Sequence, residues 1–233
     1  MGKRKIRKFQ EIETFSNVFQ PSLDEVFGKD YSLKNNWAKN HFQNDHPIIL
    51  ELGCGKGEYT VGLAGIFPGK NFIGIDLKGD RIWTGARQAQ MQKIPNAAFV
   101  RTRIEFIESL FGRNEVNEIW LTFPDPQLKT RRNKKRLTAS RFLNSYRNIL
   151  KDKGLIHLKT DNAVLYHYTL ELVEANKLPL VFSTNDLYKS AQSGMVHGIT
   201  TYYEKKFIEE GLNIHYLSFK LPSDKIIKEP ATG

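Results

Sequence analysis

From Ile48 onward, short apolar runs alternate with amphipathic stretches at a regular spacing. Ile48–Gly53, Asn71–Asp76, Ala97–Thr102, Asn117–Phe123 and Leu155–Thr160 have the length and composition of strands. The amphipathic stretches between and after them predict helices near 57–67, 79–92, 104–112, 138–151 and 163–176. Strands alternating with helices point to βαβ units and a mostly parallel sheet. After about residue 178 the rhythm changes. Val181–Thr184 and Ile214–Leu221 are strand-like, with a helix expected over about 200–210. In the last run His215, Leu217 and Phe219 alternate with Tyr216, Ser218 and Lys220, which fits an antiparallel strand closing the edge of the sheet. The expected fold is α/β, with seven strands, helices on both faces and an antiparallel edge strand.

Residues 1–46 are mixed and polar, and their aromatics (Phe9, Phe15, Phe19, Phe27, Tyr31, Trp37) are spaced too irregularly for one long helix. They read as a basic and aromatic N-terminal arm ahead of a single domain over 47–233, which holds no repeat, linker or low-complexity tract. With 40% hydrophobic residues in 233, the chain has enough apolar surface for a sizeable core. No stretch approaches the roughly 18 consecutive apolar residues of a membrane helix, and the basic start lacks the apolar core of a secretory signal. A single cysteine, Cys54, excludes a disulfide framework and a cysteine-built metal site. His41, His46, His157, His167, His197 and His215 show no paired ligand spacing, so no metal is expected. These features suggest a cytoplasmic protein, monomeric or homodimeric, with no membrane attachment.

Charge changes the picture. Lys and Arg total 35 against 25 Asp and Glu, a net +10. Six of those cations lie within the eight residues 129–136 (Lys-Thr-Arg-Arg-Asn-Lys-Lys-Arg), and Lys3, Arg4, Lys5, Arg7 and Lys8 open the chain. Clustering of this kind suggests a grip on a phosphate backbone rather than uniform solubilisation.

The first strand runs into Glu51-Leu52-Gly53-Cys54-Gly55-Lys56-Gly57-Glu58. Glycines there allow a tight turn and close approach to a ligand at a helix N-terminus. The spacing is not that of a dinucleotide fingerprint, and no Gly-Lys-Ser/Thr follows as in a nucleotide-triphosphate loop. Glu58 sets a carboxylate where a pyrophosphate would lie, so a cofactor without phosphates fits better, S-adenosylmethionine first. Its sulfonium and ammonium favour a nearby carboxylate such as Glu51. Asp76, at the end of the second strand, is placed to accept from both ribose hydroxyls, although the residue alone is also an ordinary strand-end turn former. Cys54 has no evident histidine partner and reads as a packing residue.

The fourth strand ends in Phe123-Pro124-Asp125-Pro126, where flanking prolines stiffen the turn and fix the direction of Asp125. This loop, Gln127-Leu128-Lys129 and the Arg/Lys run after it resemble the bacterial tRNA (guanine-N7)-methyltransferases. The resemblance spans about 48 to 204 and takes in the Glu-x-Gly-x-Gly-x-Gly turn, Asp76, Lys159-Thr160-Asp161 and Thr201-Tyr202-Tyr203-Glu204. It implies a Rossmann-like class I methyltransferase fold and methyl transfer from S-adenosylmethionine to N7 of the variable-loop guanosine of tRNA. It also implies site roles. Glu51, Gly53, Gly55, Gly57, Asp76 and Asp125 would contact cofactor. Lys129, Arg131, Arg132, Asp161, Thr201, Tyr202, Tyr203 and Glu204 would face substrate. Asp125 and Asp161 would be catalytic.

The sequence also departs from the family's pattern. Gln127 stands where a tryptophan is common, Arg132 where a histidine is, and Tyr202-Tyr203 where Lys-Phe is. Arg101-Thr102-Arg103 lacks an acidic residue that often contacts adenosine, leaving Thr102 or Arg103 for that position. Guanine N7 carries a lone pair and no proton, so the expected chemistry is alignment plus carboxylate stabilisation of the positive charge the ring gains. Asp161 and Glu204 would hold the guanine edge with Thr201 in support, while Lys129 and the following arginines grip phosphate. Two alternatives stay open: a methyltransferase for another RNA, and a non-catalytic RNA-binding module on the same fold. The intact glycine turn, Asp76 and Asp125 speak against the second.

Overall fold

The computed structural model describes residues 3–190 and 198–230, the side chains of Lys3, Arg4 and Thr130 excepted. His197 lies outside the described residues. The chain has the expected α/β class, a mostly parallel sheet of eight strands with an antiparallel end. It divides into two compact units, Met1–Gly112 and Arg113–Gly233.

In the first unit four parallel strands follow the order β1 (Val18–Phe19), β4 (Ala97–Arg101), β3 (Asn71–Asp76), β2 (Ile48–Leu52). β2 is buried at all five positions, as a strand covered on both faces should be, so it reads as an unbroken apolar run. Helices α3 (Glu58–Ile66) and α4 (Gly79–Met91) link these strands. Ile73, Ile75, Phe99 and Val100 are fully enclosed, with Ile82 and Ala86 of α4. The segment before Ile48 supplies the strand beyond the expected seven. It also supplies α1 (Lys3–Ile12), α2 (Leu23–Val26) and a helical turn over Trp37–His41 that buries Trp37 completely. Trp37 stacks on Phe111 at 5.0–6.2 Å from Phe19 and Tyr31, and its indole N–H donates to the Leu110 carbonyl at 2.9 Å. Irregular aromatic spacing thus marks a packed segment of several short elements. The helix expected over 104–112 is a 3₁₀ turn at Ile104–Phe106 running into α5 (Ile107–Leu110).

In the second unit the strand order is β5 (Val116–Thr122), β6 (Leu150–Thr160), β8 (His215–Leu221), β7 (Leu180–Thr184). β6 pairs parallel with β5, and β8 runs antiparallel to both β6 and β7. The helices are α6 (Ser140–Ile149), α7 (Ala163–Ala175) and α8 (Tyr202–Glu209). β6 begins directly where α6 ends, five residues earlier than its apolar run suggests, because Leu150 pairs with Val116 ahead of a register shift. Ile119, Leu121, Ile156, Leu158, Leu217 and Phe219 form the enclosed core against Leu143 and Leu172.

Candidate functional site

In the first unit the chain leaves β2 through a turn in which Gly53, Gly55 and Gly57 all have left-handed backbones (φ 78°, 55° and 70°). Gly57 is also sterically obligatory, since a Cβ there would lie 2.4 Å from the Phe99 ring. Asp76 clamps the turn: one carboxylate oxygen accepts from the Gly55 N–H at 2.9 Å, the other from the Lys78 N–H at 2.8 Å. Each oxygen keeps a second lone pair, which suits an incoming hydroxyl. Glu51 is buried and accepts from the Thr60 N–H at 2.9 Å and the Thr60 hydroxyl at 2.5 Å, tying β2 to the first turn of α3. Cys54 is enclosed, and burial, with Glu51 and Asp76 nearby, pushes its thiol well above the ordinary range, which fits packing rather than nucleophilic chemistry. Beyond β4, Thr102 is buried with its N–H on the Asp76 carbonyl, and Arg103 is exposed.

In the second unit the Phe123–Gln127 loop holds two non-glycine residues in the left-handed region, Phe123 (φ 50°) and Gln127 (φ 48°). Such backbones cost about 1 kcal/mol or more each and persist where surroundings enforce them. Here the Phe123 N–H donates to the Lys159 carbonyl at 2.8 Å, and the exposed Asp125 closes an Asx turn by accepting from the Gln127 N–H at 2.9 Å. Lys129, Arg131 and Arg132 follow, all exposed, at the start of a 3₁₀ segment over Thr130–Lys135.

Arg136 does not belong with them. It is buried, donates from Nε to the Pro126 carbonyl at 3.0 Å and stacks over the Tyr168 ring. The N-terminal cluster is partly engaged within the first unit. Lys5 pairs with Asp80, Arg7 with Glu11, and Lys8 bonds the Asp80 carbonyl while lying over the Trp83 ring. Lys5 and Lys8 tie α1 to α4, whereas Arg7, paired within its own helix, keeps a side chain 78% exposed, so of the expected two-cluster phosphate grip Arg7 and the exposed part of 129–135 stay open to solvent among the described side chains.

At the end of β6, Asn162 caps α7 by accepting from the Leu165 N–H at 3.0 Å. Asp161, just before this cap, is half-buried, and its side chain has no hydrogen-bond partner on another residue among the described residues. Burial raises its carboxyl above the ordinary value, opposed by its own backbone N–H and by His215. His215 itself is pushed down by burial and by His167. Thr201 and Glu204 form a capping box at the start of α8, Glu204 N–H to Thr201 Oγ1 and Thr201 N–H to Glu204 Oε2, both 3.2 Å. Glu204 is completely enclosed. Its Oε1 receives the Lys159 ammonium at 2.6 Å and the Tyr188 hydroxyl at 2.8 Å. Lys159 is 1% exposed, and burial lowers its pKa against the pull of Glu204. Tyr188 is pushed up to about 12, chiefly by burial. Tyr202 and Tyr203 stand exposed beside this cluster, and the rings run on through Phe207 to Phe123, with centroid spacings of 5.5, 6.5 and 5.7 Å.

Comparison with known proteins decides the family. A family model described as "Putative methyltransferase" matches residues 45–217. A tRNA (guanine-N(7)-)-methyltransferase of Christiangramia forsetii is 51% identical over 221 residues, covering 94% of this chain and 99% of the relative. One of Bacteroides thetaiotaomicron is 48% identical over 230 residues, 99% of this chain and 90% of the relative. The chain belongs to the tRNA (guanine-N7)-methyltransferase family. Among solved structures an antibiotic-related methyltransferase matches with a TM-score of 0.59 at 14% identity, covering 84% of this chain and 97% of its own. The 16S rRNA methyltransferase KamB matches at 0.58 and 13%, covering 85% and 99%. At those identities the likeness concerns the fold, which is that of the class I methyltransferases.

Of the residues expected to contact cofactor, Glu51, Gly53, Gly55, Gly57, Asp76, Thr102 and Arg103 lie in the first unit. Asp125 and the residues expected to face substrate, Lys129, Arg131, Arg132, Asp161, Thr201, Tyr202, Tyr203 and Glu204, lie in the second. Glu204, expected to contact guanine, has both oxygens bonded within the protein. Sequence reasoning gave no role to Lys159, Tyr188 or Thr60. A lysine near the end of a largely apolar strand run was the available signal for Lys159; Tyr188 carries none. No group of acidic, histidine or cysteine side chains suited to a metal occurs among the described residues, and none of their helices is long and apolar enough to cross a membrane.

Proposed function

We propose that this enzyme methylates N7 of a guanosine in tRNA, the variable-loop guanosine, with S-adenosylmethionine as donor. The observation that carries the reading is the match, over nearly the whole chain, to relatives of that name. The glycine turn supports the donor: Gly55 has open space where a side chain would stand, and Asp76 is held with lone pairs to spare. When bound, S-adenosylmethionine supplies a methyl group on a positively charged sulfur, which leaves as a neutral thioether.

Transfer to N7 needs no base, because the lone pair is already there. The residues of this chain orient the ring and stabilise the positive charge it gains. Asp161 is assigned the guanine N1–H and exocyclic amine, since its carboxylate is half-buried and uncommitted to the α7 cap. An ionised carboxylate there becomes more favourable as charge develops, which is the condition for catalysis rather than mere binding. Glu204 is a positioning residue: with Lys159, Tyr188 and Thr201 it fixes the start of α8, from which Tyr202 and Tyr203 offer faces for stacking on bases. Lys129, Arg131 and Arg132 take phosphate.

The test is methyl transfer from labelled S-adenosylmethionine to unmodified tRNA, with the product nucleoside identified by mass spectrometry. N7-methylguanosine is expected. Donor binding with label in any other nucleoside would overturn the assignment of the target.

A further inference from the structure

The first unit contains a cavity of about 470 Å³ lined by residues that the site described so far leaves mostly unused: Gln20, Val26, Leu77, Arg101, Thr102 and Phe106 among them. Its size lies in the roughly 300–1,000 Å³ range of small-molecule sites. Gln20 directly follows β1, Leu77 follows β3 and Thr102 follows β4, so the cavity opens at the carboxyl ends of three neighbouring parallel strands, where such sheets bind ligands. Leu77 is the next residue after Asp76. A nucleoside whose ribose bonds to Asp76 therefore extends its base toward this space.

The chemistry of the walls is selective. Val26, Leu77 and Phe106 suit the faces of a flat ring, and no carboxylate lines the cavity to receive an exocyclic amine. Gln20 can do so. Its Oε1 accepts from Arg101 Nη1 at 2.9 Å, and the Arg101 guanidinium lies 4.7 Å from the centre of the Phe9 ring, anchored by α1. A guanidinium only donates, so it fixes which end of the amide is oxygen. Gln20 then presents one remaining oxygen lone pair and an NH₂ group, which has no protein partner among the described residues. That acceptor and donor pair matches the N6 amine and the adjacent ring nitrogen of adenine.

We infer that Gln20, directly after the extra N-terminal strand and oriented by Arg101, is a specificity residue for the adenine of the methyl donor. This rests on the donor assignment above. In hypoxanthine the N6 amine becomes a carbonyl and N1 gains a hydrogen, so the pattern is reversed on that edge, and Arg101 prevents the amide from turning to follow it.

The experiment is calorimetric binding of S-adenosylhomocysteine and S-inosylhomocysteine to the full-length protein. The wild type is expected to prefer the adenosine compound by at least about tenfold, from two hydrogen bonds gained or mismatched. Gln20→Ala should weaken S-adenosylhomocysteine about tenfold and reduce the preference to about twofold. Arg101→Met should keep most of that affinity yet lose preference, because the amide is then free to turn. It also serves as the test should Gln20→Ala fail to fold. Wild-type binding of S-adenosylhomocysteine with affinity and preference intact in either variant would overturn the role of Gln20 while leaving the donor assignment standing. No wild-type binding would overturn both.

Discussion

Replacing Lys159 by methionine removes the counter-charge from a carboxylate that has no solvent contact. In the folded protein Lys159 Nζ lies 2.6 Å from Glu204 Oε1, with the side chains 2% and 0% exposed. At an effective dielectric of about 20, that separation corresponds to about 6 kcal/mol of attraction, offset by several kcal/mol of desolvation per ion. Removing one partner keeps the desolvation of Glu204 and loses the attraction, so Lys159→Met should cost about 3–5 kcal/mol. The Tyr188 hydroxyl and the Thr201 N–H remain as neutral donors and place the expected loss toward the lower end. The double variant Lys159→Met/Glu204→Gln should recover most of it, ending within about 1–2 kcal/mol of the wild type, since a neutral pair needs no counter-charge. Urea unfolding of wild type, both singles and the double gives the coupling energy, expected to be about 2 kcal/mol or more. At temperatures where all four stay folded, the singles should raise KM for tRNA and leave binding of S-adenosylhomocysteine unchanged, because the pair supports α8 and not the glycine turn. Additive losses, with coupling near zero, would refute the reasoning and leave Lys159 as an incidental neighbour.

Three further outcomes are expected. Asp161→Asn should lower kcat about a hundredfold, the usual scale for one preorganised electrostatic partner, with donor affinity retained. Burial raises the Asp161 carboxyl, so in the wild type kcat should fall on acidification at a pH above the ordinary aspartate value, and this limb should vanish in Asp161→Asn. Gly57→Ala and Gly55→Ala both place alanine at positive φ, but only the first drives a Cβ to 2.4 Å from Phe99. Unfolding without ligand should show roughly 1 kcal/mol lost for Gly55→Ala, from backbone strain alone, and clearly more for Gly57→Ala. Neutralising Arg131 and Arg132 should reduce the slope of log affinity for tRNA against log salt by somewhat under two, whereas Arg136→Gln should lower stability and leave that slope alone.

The strands and the glycine turn were legible in the sequence because each is governed by local rules. An apolar run such as Ile48–Leu52 has few alternatives to a buried strand, and three glycines followed by Glu58 leave few choices of ligand. The N-terminal segment was harder to read for a physical reason. Val18–Phe19 is too short to show a period, and its place beside β4 comes from pairing with Phe99 and Val100, distant in sequence. The basic residues misled in the same way, because charge is visible in a sequence and its partner is not. Arg136 and Lys8 look like Arg131 until Tyr168 and Trp83 are folded against them.

Glu204 shows the limit most sharply. The family pattern made it a guanine contact, while its burial depends on Lys159 and Tyr188, which arrive from other elements. The consequence is a division of labour between two acids, one just before α7 and one in the first turn of α8. A carboxylate that must respond to charge developing on a substrate has to keep lone pairs open and stay partly hydrated, as Asp161 does. One that must hold a stacking surface rigid gains by being saturated and dry, as Glu204 is. The two should therefore fail differently when neutralised: Asp161→Asn in kcat, and Glu204→Gln in stability and in KM for tRNA. A Glu204→Gln enzyme of unchanged stability with a collapsed kcat would reverse these assignments.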